Sequence, residues 1–206
     1  MLRRHTTARI RGFFGELYLL KRTNGQVAIS TGFGIGAPVI AVLADEFAGL
    51  GVQQFALIGL AGGLRPDLKT GSLVICRNAI RGEGVSQHYL PPHPTIAASE
   101  EMVNRLSDVL TKRNQTYSVG TVWTTDAPFR ELRKTVLEHQ RSGVLAVEME
   151  SAALLSVARS WDVSAVAMVS IADQLANGQW KMTKDQRPAQ KGLEILFDAF
   201  FEYINP

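Results

Sequence analysis

The sequence predicts an α/β domain with a mostly parallel sheet. Three observations point there. Short apolar runs alternate along the chain with capped or amphipathic stretches of helix length. Glycine-rich turns follow two successive apolar runs, as they do where one strand hands over to the next element. No internal repeat, low-complexity tract or linker divides the 206 residues, a length at which one domain over the whole chain, 1–206, is expected.

Residues 26–31 read as the first clear strand. Residues 38–49 read as a helix, with Pro38 in the first turn and Gly49 or Gly51 near the end. The apolar runs 54–60 and 72–80 read as buried strands. Ser99 caps a helix over 99–113, with Glu100 and Glu101 in its first turn. Then follow a strand over 116–124, a helix over 128–140, a strand over 144–149 and a helix over 150–161. A strand over 164–171 and a closing helix over 187–203 complete the order. In such a sheet ligands gather at the carboxyl ends of the strands.

A composition 46% hydrophobic and 20% charged excludes intrinsic disorder. The single cysteine, Cys76, excludes an internal disulfide and a cysteine-rich zinc module, and points to a reducing compartment, here the cytoplasm. Cys76 lies in an apolar run and reads as core. A net charge of +3 is too balanced to indicate nucleic acid. Arg3, Arg4, Arg9 and Arg11 precede every acidic residue, so the start reads as a solvated terminus or a transit segment. No apolar run reaches the roughly 20 residues of a membrane helix.

The first glycine turn is Gly32-Phe33-Gly34-Ile35-Gly36-Ala37-Pro38, ahead of a helix. Glycines let a ligand approach the backbone, and a helix start offers N–H groups to an anion. Gly32, Gly34 and Gly36 are therefore candidate anion ligands; a tight structural turn is the competing reading. A dinucleotide fingerprint needs an acid at the end of the next strand, and Gly59-Leu60-Ala61-Gly62-Gly63 stands there instead. No Gly-Lys-Ser/Thr follows, which excludes a Walker loop.

Val147-Glu148-Met149-Glu150-Ser151 passes from strand to helix. On an extended segment Glu148 and Glu150 share a face, and a carboxylate can accept two hydrogen bonds from a vicinal diol. Solvated helix-start acids are the alternative. Asp173 follows the apolar run 164–171, where it is either a general acid at a strand end or an ordinary loop aspartate. His5, His88, His93 and His139 have no metal-ligand spacing, so no metal is expected.

Taken together, Ser30-Thr31-Gly32 through Pro38, Ile58-Gly59 through Gly63, Gly71-Ser72-Leu73-Val74, Arg81 through Ser86, Thr124-Thr125-Asp126-Ala127-Pro128, Val147 through Ala153 and Ala172-Asp173-Gln174-Leu175 with Gly178 and Trp180 resemble one family. It is the nucleoside phosphorylase and nucleosidase family, which includes uridine phosphorylase, hexameric purine nucleoside phosphorylase and methylthioadenosine nucleosidase. The resemblance implies a mixed, mostly parallel central sheet flanked by helices. It implies cleavage of a nucleoside N-glycosidic bond, a small-molecule nucleoside as partner, no cofactor beyond phosphate as co-substrate, and a homodimer or homohexamer. It assigns Glu150 to the ribose diol, Met149 to packing on the sugar with Glu148 beside them, and Asp173 to protonating a departing purine. Thr125 and Phe129 would approach the base; a core aromatic is the other reading of Phe129. Arg9 or Arg11 matches an arginine lent to a neighbouring subunit for phosphate.

The sequence departs from the family in two places. A first strand with a Gly-Asp-Pro-x-Arg phosphate loop does not precede residue 26. Leu57 and Leu60 stand where phosphorylases carry an arginine and a serine or threonine. The expected activity is phosphorolysis of a purine nucleoside; hydrolysis, or nucleoside binding without turnover, are the alternatives.

Overall fold

A computed structural model of the chain describes residues 6–11, 15–176, 179–181 and 183–204. Two sheets organise them. Strands β1 (Thr6–Arg11), β2 (Glu16–Leu20) and β3 (Ala28–Thr31) form a three-stranded antiparallel sheet. The remaining strands are β4 (Gln54–Gly63), β5 (Leu73–Gly82), β6 (Thr95–Ala97), β7 (Tyr117–Thr125), β8 (Ala146–Glu148), β9 (Ser164–Ala176) and β10 (Gln179–Lys181). They pair in the order β10-β9-β4-β8-β7-β5-β6, and β5 also pairs with β9. That last pairing closes β9, β4, β8, β7 and β5 into a ring, so these strands have no free edge. The two longest pairings, β4 with β9 and β5 with β7, are parallel. The pairings of β8 with β4, and of β9 with β5, are antiparallel.

Five helices cover the ring: α1 (Ala37–Gly49), α2 (Glu100–Lys112), α3 (Arg133–Arg141), α4 (Ser151–Ser160) and α5 (Arg187–Tyr203). Helix α4 is buried on every face from Ser151 to Ala158, and it packs on α1. An all-round apolar helix is stable only inside a core. The core runs from α4 across Val74, Ile75, Met168 and Ile171 to Leu106 and Leu196. Cys76 belongs to it, and burial raises its thiol pKa well above the ordinary value. Among the described residues no helix is long and apolar enough to cross a membrane.

The structure corrects the sequence reading at the start of the chain, ahead of α3 and at the end of β9. Part of the arginine-rich start is β1, held against β2, where Arg9 pairs with Glu16. The predicted helix over 128–140 begins at Arg133. Pro128 starts a separate 3-10 turn, Pro128–Arg130, after which Glu131 and Leu132 are extended. Proline fixes φ equally well for either kind of turn. Strand β9 continues five residues beyond Ile171, which puts Asp173 inside a strand.

Candidate active site

Three strand ends and one loop build the candidate site. The β3–α1 loop turns through Gly32, Gly34 and Gly36, each at positive φ (68°, 96° and 101°). Gly36 is the N-cap of α1, and its N–H donates to Glu150 Oε1. This contact ties the first glycine loop to the start of α4 across 114 residues. Burial raises the Glu150 pKa, and the Gly36 N–H opposes that rise. The Gly36 amide is thus occupied by a carboxylate of the chain itself, not open to an anion as the loop sequence suggested.

Glu148 and Glu150 have different partners. The strand ends at Glu148, and Glu150 is the N-cap of α4 with φ −134° and ψ −29°, so the two are not on one extended segment. Glu148 is buried. It accepts from Thr124 Oγ1 at 2.5 Å, Glu150 N at 2.8 Å and Ser151 N at 2.7 Å. Thr124 Oγ1 in turn accepts from Ala152 N at 2.9 Å. Helix starts leave several N–H groups unpaired, and here a buried carboxylate and a hydroxyl satisfy them. Burial raises the Glu148 pKa while those hydrogen bonds hold it down. Oε1 is committed to Thr124 of β7 and Oε2 to the start of α4, which leaves Glu148 a holder of the site rather than a ligand in it. Met149 is half-buried between the two.

Asp173 faces the end of β4. The β4–β9 register slips there: Ala61 pairs with Ile171 and Gly62 with Asp173. The bulge skips Ala172; bulges of this kind re-aim side chains beside active sites. Gly62 also pairs with Val147 of β8, so it lies between the strand carrying Asp173 and the strand leading to Glu150. A Cβ at Gly62 would stand 2.8 Å from the Trp180 ring and 3.0 Å from Asp173 Oδ1. Only glycine fits beneath that pair. Asp173 Oδ1 is buried with no hydrogen-bond partner among the described residues, and burial raises its pKa to about 6.

One acid in this corner had no sequence signal. Glu131 reads from the sequence as the interior of a helix. In the fold it sits on the extended link before α3, with both carboxyl oxygens buried and unpartnered. Its pKa is raised to about 7, chiefly by burial and further by the Asp173 charge; the nearby Trp180 indole opposes the shift without reaching hydrogen-bond geometry.

The other candidates are Thr125, Phe129 and Arg11. Thr125 is buried, and its Oγ1 accepts from Ala127 N at 3.3 Å, so it holds the turn after β7. Phe129 is 96% exposed, which excludes the core-aromatic reading. The Arg11 side chain lies outside the described residues, although its backbone is in β1. Leu57 is half-buried and Leu60 is exposed. Among the described residues no three His, Cys, Asp or Glu side chains group as metal ligands. A hollow of about 410 Å³ lined by Arg81, Glu83, Ser86 and His93 contains none of the candidate residues.

Comparison with known proteins places the fold and the family. The chain is 30% identical over 196 residues to the DeoD-type purine nucleoside phosphorylase of Brevibacillus brevis, covering 91% of this chain and 79% of that protein. It is 28% identical over 191 residues to the protein of the same name from Bacillus cereus, with the same coverage. The fold matches a solved structure described as the P knowlesi homolog of P falciparum PNP, with a TM-score of 0.69 at 21% identity. That match covers 80% of this chain and 66% of the solved one, a little under two thirds of its length. The family model of the phosphorylase superfamily matches residues 3–202, nearly the whole sequence. With its closed mixed sheet and its glycine loop locked to the first turn of α4, the chain belongs to the phosphorylase superfamily.

Proposed function

We propose that the chain cleaves the N-glycosidic bond of a purine nucleoside, with phosphate as the acceptor. One observation carries this reading: Asp173, an acid raised to about 6, lies on β9, Glu150, a carboxylate anchored on the Gly36 amide, follows the end of β8, and both strands pair with Gly62. Glu150 has Oε1 held by the Gly36 N–H, which orients the carboxylate for a ribose hydroxyl. Asp173 has an oxygen with no internal donor or acceptor, suited to give a proton to N7 of the base. As the C1′–N9 bond breaks, its electron pair passes to the base, which the N7 proton neutralises. A phosphate oxygen closes on C1′. A positioned general acid contributes about 10²–10⁴ in rate. The names of the relatives support purine and phosphate.

A specific observation favours hydrolysis as the second reading. Leu57 and Leu60 are apolar where the resembling phosphorylases carry phosphate ligands, and the Gly36 amide already serves Glu150. Water needs no such ligands. Self-association as a dimer or hexamer belongs to the same proposal. The test is base release from purine and pyrimidine nucleosides with and without phosphate, with Asp173→Asn as control. Phosphate-dependent release of a purine, lost in the variant, supports the first reading; phosphate-independent release supports the second.

A further inference from the structure

Glu150 is held at two points. Its Oε1 accepts from the Gly36 N–H, and its own N–H donates to Glu148 Oε2 at 2.8 Å. Whatever fixes Glu148 therefore fixes the backbone of the carboxylate proposed for the sugar. Thr124 and Glu148 are register partners in the parallel pairing of β7 and β8, and both are buried. A threonine hydroxyl has one proton and two lone pairs. Thr124 Oγ1 accepts from Ala152 N at 2.9 Å, so its proton goes to Glu148 Oε1 at 2.5 Å. Oε2 is left for the amides of Glu150 and Ser151. Three successive amides, those of Glu150, Ser151 and Ala152, thus end on two side chains from neighbouring strands. The Thr124 backbone is held on its other side by β5. It pairs there with Arg81, and a Cβ at Gly82 would stand 2.6 Å from the Thr124 carbonyl oxygen.

We propose that Thr124 is a positioning residue for Glu150, acting through Glu148 and the first turn of α4. This deepens the purine-nucleoside reading above and rests on it. The hydroxyl turns the Glu148 carboxylate so that one oxygen faces the start of α4, and it takes the next amide itself. Without it, Glu148 Oε1 and the Ala152 amide lose their partner in a dry core, where unpaired polar groups are costly. The start of α4 is then released from β7, and Glu150 no longer stands in register with the Gly36 amide. Thr124 does not touch the substrate; it sets the place from which Glu150 reaches the ribose.

The test compares Thr124→Val, which keeps the shape and removes the hydroxyl, with Thr124→Ser, which keeps the hydroxyl and removes the methyl. Steady-state kinetics on a purine ribonucleoside and its 2′-deoxy counterpart give the first readout. In Thr124→Val the preference for the ribonucleoside, as the ratio of the two kcat/KM values, is expected to fall about tenfold, and Thr124→Ser is expected to restore it. A merely structural threonine would lower both substrates alike, and serine would not rescue the loss. If the valine variant does not fold, Glu148→Gln is measured in its place; it keeps the volume and sets an amide NH₂ against one group of donors, and the same fall is expected. Amide hydrogen exchange without substrate gives the second readout. The amides of Glu150, Ser151 and Ala152 are expected to exchange at least about tenfold faster in the valine variant than in the wild type or the serine variant, with those of α5 unchanged. An unchanged ratio, a serine variant no better than valine, or unchanged exchange at the start of α4 overturns the assignment. Absence of base release from wild-type protein, with the exchange pattern as expected, counts against the nucleoside reading and for Thr124 as the anchor of Glu150.

Discussion

Glu150 accepts a hydrogen bond from the backbone N–H of Gly36, and this single contact joins the first glycine loop to the first turn of the buried helix α4. The loop needs glycine at that point because φ is 101°, where a side chain would be strained. One carboxylate oxygen is thereby fixed in direction. A group held this way loses little further freedom when a ligand arrives. In the proposed function this backbone contact orients Glu150 for the sugar.

Glu150→Gln keeps an acceptor for Gly36 and removes the charge. The fold is expected to survive, with kcat/KM for a ribonucleoside falling about 10- to 100-fold, the size of one charge-assisted hydrogen bond. The loss should be smaller for the matching 2′-deoxynucleoside. Parallel steady-state kinetics on the two substrates check this; equal losses on both would remove Glu150 from the diol.

Glu148→Ala tests the opposite assignment. It strips the start of α4 of its buried acceptor and leaves the amides of Glu150 and Ser151 and the hydroxyl of Thr124 without it. Each unpaired buried donor costs about 1–3 kcal/mol. A net destabilisation of about 3 kcal/mol is expected, a fall in Tm of about 6–12 °C for a chain of this size. Calorimetry measures it. An unchanged Tm would free Glu148 for a direct role in the site.

Gly62→Ala places a methyl group 2.8 Å from the Trp180 ring. The ring edge must move, and the corner holding Asp173 and Glu131 opens to water. Tryptophan emission should shift to the red, and kcat/KM should fall by at least about tenfold, since small misplacements near reacting groups are costly. An unchanged spectrum with normal activity would mean that the wall plays no part.

Stability should depend on pH through the same two acids. Asp173 and Glu131 are both raised above their ordinary values, from 3.8 to about 6 and from 4.5 to about 7. The folded state therefore holds these protons more tightly than the unfolded chain. Their contribution is complete below about pH 4 and is lost as pH rises to about 7. Urea midpoints of the wild type and of Glu131→Gln across that range test the sign: the variant should lose less stability between pH 5 and 7.5. A steeper loss in the variant would reverse the argument.

The sequence carried the alternation of elements and the residues at strand ends, because apolar runs and capping residues report local structure directly. Helix α2 with its Ser99 cap and helix α5 fall where their sequence places them. Strand β1 was hidden because arginines interrupt its alternation. Glu148 and Glu150 were legible as a pair but not as two different roles. Their separation depends on one backbone rotation after β8, which spacing alone does not encode. Glu131 had no local signal, because the groups that act on it, Trp180 and Asp173, lie far along the chain. The arginine-rich start gave no view of Arg11, whose side chain lies outside the described residues.

The measurement that bears most directly on the account is base release from purified protein across a nucleoside panel, with and without phosphate. The account predicts release of a purine base together with sugar 1-phosphate, dependent on phosphate and reduced about 10²-fold or more in Asp173→Asn. Release that is equal in the variant, or confined to pyrimidine nucleosides, would contradict the assignment of Asp173 as the acid that frees the base.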